Sequence, residues 1–291
     1  MNRFIVNIIW FGLCLLLINI MLYYITYNIY IKKYVDVNLD YESYLLSDSH
    51  GLPLADFTEE SGIFNFSAVS ESYFDMLRKV KFLIKNSKVK RIIITVDDHT
   101  LSPYRESKNN LDRSVHFTRW KDCSSTCTFA LIKTYLVLIN PKSRDIVKRY
   151  LISKLSYLTS KLLGSSKKRS DPKWDKIPDR EKKRRGLKRF NSQFPVENQS
   201  DTLNYSLHQI ITVCEQNNVK IVGIKYPLTK DYLSAKGDKS YKADRIFHEK
   251  NLKVYDFEHL YVNKDEYFKN QDHLNRMGGK KFAKVLSKSV L

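Results

Sequence analysis

Apolar and polar positions divide the chain into a long apolar head and a strand–helix rhythm that is interrupted once. From Phe4 to Ile31 there is no charged residue. That run is long enough to cross a hydrocarbon layer roughly 30 Å thick, and Tyr23, Tyr24, Tyr27 and Tyr30 supply an interfacial aromatic belt at its end. It is longer than the apolar core of a cleaved leader, and no small-x-small site follows it, so an uncleaved anchor over residues 1–31 is expected. A polar linker, 32–42, leads to the apolar run Tyr44-Leu45-Leu46, which reads as a strand ending at Ser47-Asp48-Ser49-His50-Gly51. Residues 63–67 read as a second strand. Glu71 to Lys85 carries Tyr73, Phe74, Leu77, Val80 and Ile84 at helical spacing. Lys90 to Val96 is a β-branched run closed by Asp97-Asp98-His99. Strand, helix, strand in this order predicts parallel βαβ units.

Residues 100–200 break the rhythm. Leu131 to Ile139 is apolar, and Pro141 opens a helical pattern with Val147, Leu151, Leu155, Leu158 and Leu162 on one side and Lys or Arg on the other. That pattern suits either a helix covering the core or a basic helix lying on a membrane. Gly164 to Asn191 is densely basic and nearly free of apolar residues, which predicts a mobile surface insert. The rhythm resumes with a helix capped at Ser200 or Asp201, a strand over 219–226 ending at Pro227, a strand over 252–257, and a terminal helix capped by Asn275. The simplest architecture is α/β: a flavodoxin-like three-layer sandwich with a central parallel sheet over 43–291, preceded by one transmembrane helix and interrupted by a basic insert at about 100–200. Ligands of such sheets sit at the carboxyl ends of the strands, where Ser49, Ser67, Asp97 and Pro227 fall.

Charge narrows the setting. The chain has 291 residues with 50 Lys and Arg against 31 Asp and Glu, a formal net charge of +19. Such a balance suits nucleic acid, an anionic membrane surface or an acidic polymer, and a Lys-rich proteome produces it too. No nucleic-acid-binding spacing occurs, so no nucleic-acid partner is expected. Of four cysteines, Cys14 lies in the apolar head and Cys214 on a helical apolar face. Cys123-Ser-Ser-Thr-Cys127 fits a small disulfide loop in an oxidising compartment or half of a zinc site, and no further zinc ligands are assignable. No metal or cofactor is expected.

The chemistry lies at the two ends of the α/β part. A serine needs an adjacent base, and that base needs an acceptor on its other ring nitrogen. Ser49 stands on a sharp turn after a strand, and His273 stands on a loop just before a helix. Three blocks here resemble the SGNH/GDSL hydrolase superfamily, in the variety common among membrane-anchored, envelope-associated members. Ser47-Asp48-Ser49-His50-Gly51 is similar to its Gly-Asp-Ser block. Asn65 to Ser72 is similar to its second block, with Ser70 where the family has an oxyanion glycine. Asn270-Gln271-Asp272-His273-Leu274-Asn275 is similar to its Asp-x-x-His-Leu-Asn block. The resemblance implies Ser49 as nucleophile, His273 as base, and the backbone N–H groups of Ser49 and Ser70 as oxyanion donors. It departs from the family twice. Asn270 stands where the acid belongs, leaving Asp272 as the alternative orienter, although neighbouring side chains usually diverge. The Gly-x-Asn-Asp block is absent, leaving Asp98 and His99 as candidates beside the oxyanion. The implied activity is that of a serine esterase or O-acetyltransferase acting on acyl groups of envelope polysaccharide. Its partners would be an acylated glycan, the membrane and a membrane-bound acyl donor, and its main domain would be periplasmic or on the cell surface. The competing expectation is a catalytically degenerate member serving as a carbohydrate-binding or assembly module.

Overall fold

A computed structural model describes residues 2–123, 125–163 and 172–291; the side chains of 2, 122, 125–127, 130, 158 and 160–163 are outside the described set. In chain order, α1 is Asn2–Thr26, continued through a π turn to Val35. Strand β1 is Ser43–Leu46, β2 Ile63–Asn65, α2 Tyr73–Asn86 and β3 Arg91–Thr95. Helices α3 (Ser125–Tyr135), α4 (Pro141–Leu163), α5 (Asp179–Gln193) and α6 (Asp201–Gln216) follow. The chain ends with β4 (Lys220–Lys225), α7 (Lys230–Lys236), α8 (Ala243–Glu249), β5 (Val254–Asp256) and α9 (Arg276–Val290). These elements form two compact units. Met1–Asp36 with Asp112–Ser170 makes one, and Val37–Leu111 with Asp171–Leu291 makes the other.

The second unit is the α/β part. Its five strands are all parallel, in the order β2-β1-β3-β4-β5. The order reverses direction between β1 and β3, so the carboxyl ends of these two strands flank the crevice where such sheets take ligands. The central strands are buried on both faces, as their unbroken apolar runs require: Tyr44, Leu45 and Leu46 of β1 and Ile92, Ile93 and Ile94 of β3 are fully buried. On one face Leu45, Ile93 and Val222 pack with Phe282 and Leu286 of α9 and with Trp174. Helix α2 begins at a capping box in which Ser72 and Asp75 bond reciprocally, and it packs against α6. Asn275 and Ser200 cap α9 and α6 as the sequence predicts.

One expectation is corrected here. The basic stretch expected to be a mobile insert is in its described part, 172–191, a packed piece of this unit. Trp174 is fully buried in its core, and α5 lies on α7 with Lys182 bonded to Asp265 at 2.8 Å. One buried tryptophan supplies the apolar anchor that the charge density hid. Residues 164–171 of that stretch lie outside the described set. Helices α7 and α8 were not anticipated, because each is one or two turns long with few apolar positions.

The first unit holds α1, whose described length has a mean hydropathy of 2.5 over its most apolar stretch. The stretch expected to be a polar linker, 32–42, begins as its continuation over Lys32–Val35, with Tyr34 buried. Within this unit the Tyr34 ring meets Phe117 at 5.7 Å, and Arg113 stacks over Tyr30 and Tyr34. Cys123 is disulfide-bonded, and the side chain of Cys127 lies outside the described set.

Candidate active site

The turn after β1 is built by Asp48. Its Oδ1 accepts the His50 N–H at 2.9 Å and its carbonyl accepts the Gly51 N–H at 3.2 Å, folding the chain back so that Ser49 stands at the apex. The other carboxylate oxygen of Asp48 is paired with Arg105, which also donates from Nη2 to His99 Nε2 at 3.0 Å. Asp48, Arg105 and His99 are all buried, so the turn is anchored from beneath.

The loop carrying His273 closes onto this turn through two glycines. A Cβ on Gly279 would strike the Pro53 carbonyl, and one on Gly278 would strike the Tyr267 carbonyl, so only glycine lets α9 approach both segments. The loop itself is a tight hairpin, with Lys269 N–H bonded to the His273 carbonyl at 2.8 Å and a bridge between Phe268 and Leu274.

The result is a hydrogen bond of 2.7 Å between Ser49 Oγ and His273 Nε2. On the other side of the ring, Nδ1 meets Asp272 Oδ1 at 2.9 Å and Asn270 Oδ1 at 3.1 Å. Asn270 Oδ1 also accepts the His273 N–H at 2.9 Å and the Asp272 N–H at 3.2 Å, so its main work is to cap the turn. The charge behind the base is supplied by Asp272. The adjacent carboxylate does not diverge, because the Asn270 cap curls the backbone until both side chains share one side. Asp272 is buried and held from behind by Arg189 Nε of α5 at 2.6 Å. Burial alone would favour its neutral form, but His273, His50 and Arg189 outweigh that and hold it well below the usual carboxylate range. Burial lowers the His273 pKa from its ordinary value, with Asp272 opposing, so the ring is a neutral acceptor at Nε2 near neutral pH.

Beneath this pair lies a second histidine. His50 Nδ1 bonds Asp97 Oδ2 at 2.7 Å, and its Nε2 lies 3.6 Å from Asp272 Oδ2. Its ring meets that of His273 edge-on at 4.7 Å. Burial disfavours its imidazolium, yet Asp97 and Asp272 prevail and raise its pKa to about 9. Asp97 Oδ1 accepts the Tyr226 N–H at 2.8 Å, tying the ends of β3 and β4 to this cluster. Among the described residues His50, Asp272 and His273 each bring a ligand atom within 4.8 Å of the others. A carboxylate facing each ring nitrogen favours the imidazolium of His50, which is no ligand for a cation.

Ser49, His273, Asn270 and Asp272 are thus brought together. Ser70 has φ +60°, a conformation that favours glycine, and it stands where the resemblance has one. Among the described residues neither the Ser49 nor the Ser70 N–H donates within the chain. Asp98 does not serve an oxyanion. Its carboxylate accepts from Lys225 Nζ at 2.7 Å, from Ser240 Oγ at 2.8 Å and from Lys236, and it lines a cavity of about 640 Å³ with Lys225, Lys236 and Glu258. His99 is kept neutral by burial and by His50, its pKa lowered to about 3, and its Nε2 is committed to Arg105. It supports the turn. His50, Arg105 and Arg189 escaped the sequence reading, which placed Asp97 at a strand end without giving it a role. His50 sat in plain sight beside the nucleophile, but nothing in the sequence pairs it with Asp97, and Arg189 is one basic residue among many.

No known family profile matches the chain, and no curated protein does. Among solved structures it is similar to a candidate acylhydrolase of Bacteroides fragilis, at 7% identity and TM-score 0.43, over 90% of this chain and 94% of that one. It is similar to a GDSL-like lipase of Bacteroides thetaiotaomicron at 7% identity and TM-score 0.42, over 91% and 98% of the two chains. A candidate lipolytic protein of the G-D-S-L family from Desulfitobacterium hafniense follows at 10% identity and TM-score 0.40, over 85% and 99%. The chain resembles SGNH/GDSL hydrolases. That resemblance rests on the three sequence blocks and on the serine–histidine geometry they form.

Proposed function

We propose that the protein is a membrane-anchored serine esterase or O-acetyltransferase of the SGNH type, with its α/β unit outside the cytoplasm and acyl groups of envelope polysaccharide as substrate. The single observation that carries the reading is the 2.7 Å bond from Ser49 Oγ to His273 Nε2. As Ser49 Oγ attacks an ester carbonyl, its proton passes to His273 Nε2. The imidazolium so formed keeps its Nδ1–H on Asp272, whose negative charge stabilises it. The oxyanion takes hydrogen bonds from the Ser49 and Ser70 N–H groups. Collapse of the intermediate expels the sugar alkoxide, which takes the proton from Nε2 and leaves an acyl-Ser49. Water, deprotonated by His273, then releases carboxylate, or a sugar hydroxyl takes the acyl group instead. Both outcomes share the acyl-enzyme. The net charge of +19 favours an acidic glycan, and a membrane-bound acyl donor would serve the transfer reaction.

A second reading, a degenerate carbohydrate-binding or assembly module, rests on Asn270 in the acid's position. Fluorophosphonate labelling separates the two. Wild type is expected to label and to turn over p-nitrophenyl acetate, and Ser49→Ala to do neither. Absence of Ser49-dependent labelling together with absence of turnover would sink the catalytic reading.

A further inference from the structure

Asn19, one of the polar residues inside α1, has partners, and they place a second segment at its depth. A span of about 20 residues, cut anywhere from the uncharged run Phe4–Ile31, contains residues 12–23. Asn19 therefore lies at least ~6 Å inside the nearer edge of the hydrocarbon. An amide there is costly unless it is bonded. Asn19 Nδ2 donates to the Tyr135 carbonyl at 2.9 Å, and its Oδ1 accepts the Leu138 N–H at 3.3 Å. The turn after α3 must then lie at the same depth.

That turn is built as hydrocarbon demands, where irregular backbone survives only if protein groups satisfy it. The Leu136 carbonyl accepts from Ile139 and Asn140 N–H, and Asn140 Nδ2 donates to the Lys133 carbonyl at 3.3 Å. Asn140 Oδ1 accepts the Lys142 N–H at 3.1 Å and so opens α4. The side chains turned outward are mostly apolar: Phe129 is 68% exposed and Ile139 64%, with Ile132 and Leu136 also exposed, and Lys133 is the charged exception, on a stem long enough to carry its ammonium towards the interface. Polarity is graded along α1. Beside Asn19 and Tyr23 stand the turn and Tyr135, whose ring is 5.0 Å from that of Tyr23. Beside Tyr30 and Tyr34, towards the end of the run, stand Arg113 and the Lys142–Asp112 pair. Apolar groups meet the middle of the run and charges meet its end, the profile of one bilayer leaflet.

We propose that α3 and the turn through Asn140 form a re-entrant arm, seated in the lipid bilayer against α1 and locked there by Asn19. This rests on the reading of α1 as a membrane anchor. The arm would hold the first unit at a fixed depth and rotation, which a lone helix cannot do.

The test uses the full chain with Cys14→Ser, reconstituted in phosphatidylethanolamine–phosphatidylglycerol vesicles. A nitrobenzoxadiazole probe is placed by Ile139→Cys, Leu136→Cys, Ile9→Cys in α1 or Val196→Cys on the α/β unit, and circular dichroism confirms that each variant is folded. The expected result is that probes at 139, 136 and 9 are quenched by doxyl-labelled lipid and are several-fold less sensitive to iodide than the probe at 196. If 139 and 136 respond to iodide like 196 while 9 stays in lipid, the arm is overturned and the anchor stands. If 9 is in water too, the anchor reading fails and takes the arm with it.

Discussion

Asp272 meets His273 across a single peptide bond, and the Asn270 cap makes that contact available. The two residues therefore separate on mutation. Asp272→Asn is expected to lower kcat about 10⁴-fold, as when a serine triad loses its acid. It also removes the group that raises the His273 pKa, so the acidic limb of the kcat/KM–pH profile moves to lower pH. Asn270→Ala removes a turn cap and should cost about 1 kcal/mol of stability, with a far smaller loss of kcat. Steady-state pH profiles beside thermal melts distinguish the two roles. His50 yields a stability prediction of definite sign. Its folded pKa of about 9 lies above its ordinary value, so its contribution is complete below about pH 6.5 and is lost as pH rises towards 9. Calorimetry should record a fall in Tm across that window, and His50→Gln should flatten it. Ser49 and His273 were legible because each ends a patterned element with chemistry-bearing residues. The His50–Asp97 pair was not, since it joins side chains that only the sheet brings together.

Among the elements, α5 and α9 complete the site. Helix α5 contributes Arg189, and Arg189→Gln would leave the buried Asp272 carboxylate without the guanidinium that pairs with it at 2.6 Å. A loss of about 3 kcal/mol is expected, read by denaturant unfolding, together with reduced turnover. Helix α9 contributes the glycine approach, and Gly279→Leu should abolish Ser49 labelling by forcing the His273 loop away from Pro53. The strands and α9 could be read from period and capping, because apolar runs and Asn275 leave a local signature. Helix α5 could not, because its order depends on Trp174 and on ion pairs that a charge run conceals.

At the scale of the molecule, the parallel sheet was legible and the division into units was not. Residues 112–170 join α1 rather than the sheet, a choice made by Asn19 and a few aromatic contacts that no periodicity announces. The bond between Ser49 and His273 spans 224 positions of sequence. Closing so long a loop is among the last things a chain does as it folds. A nascent chain therefore carries Ser49 from the start, and His273 reaches it only when the last helix docks. Any product truncated before Asn275 would lack the helix that seats the His273 loop against the Ser49 turn.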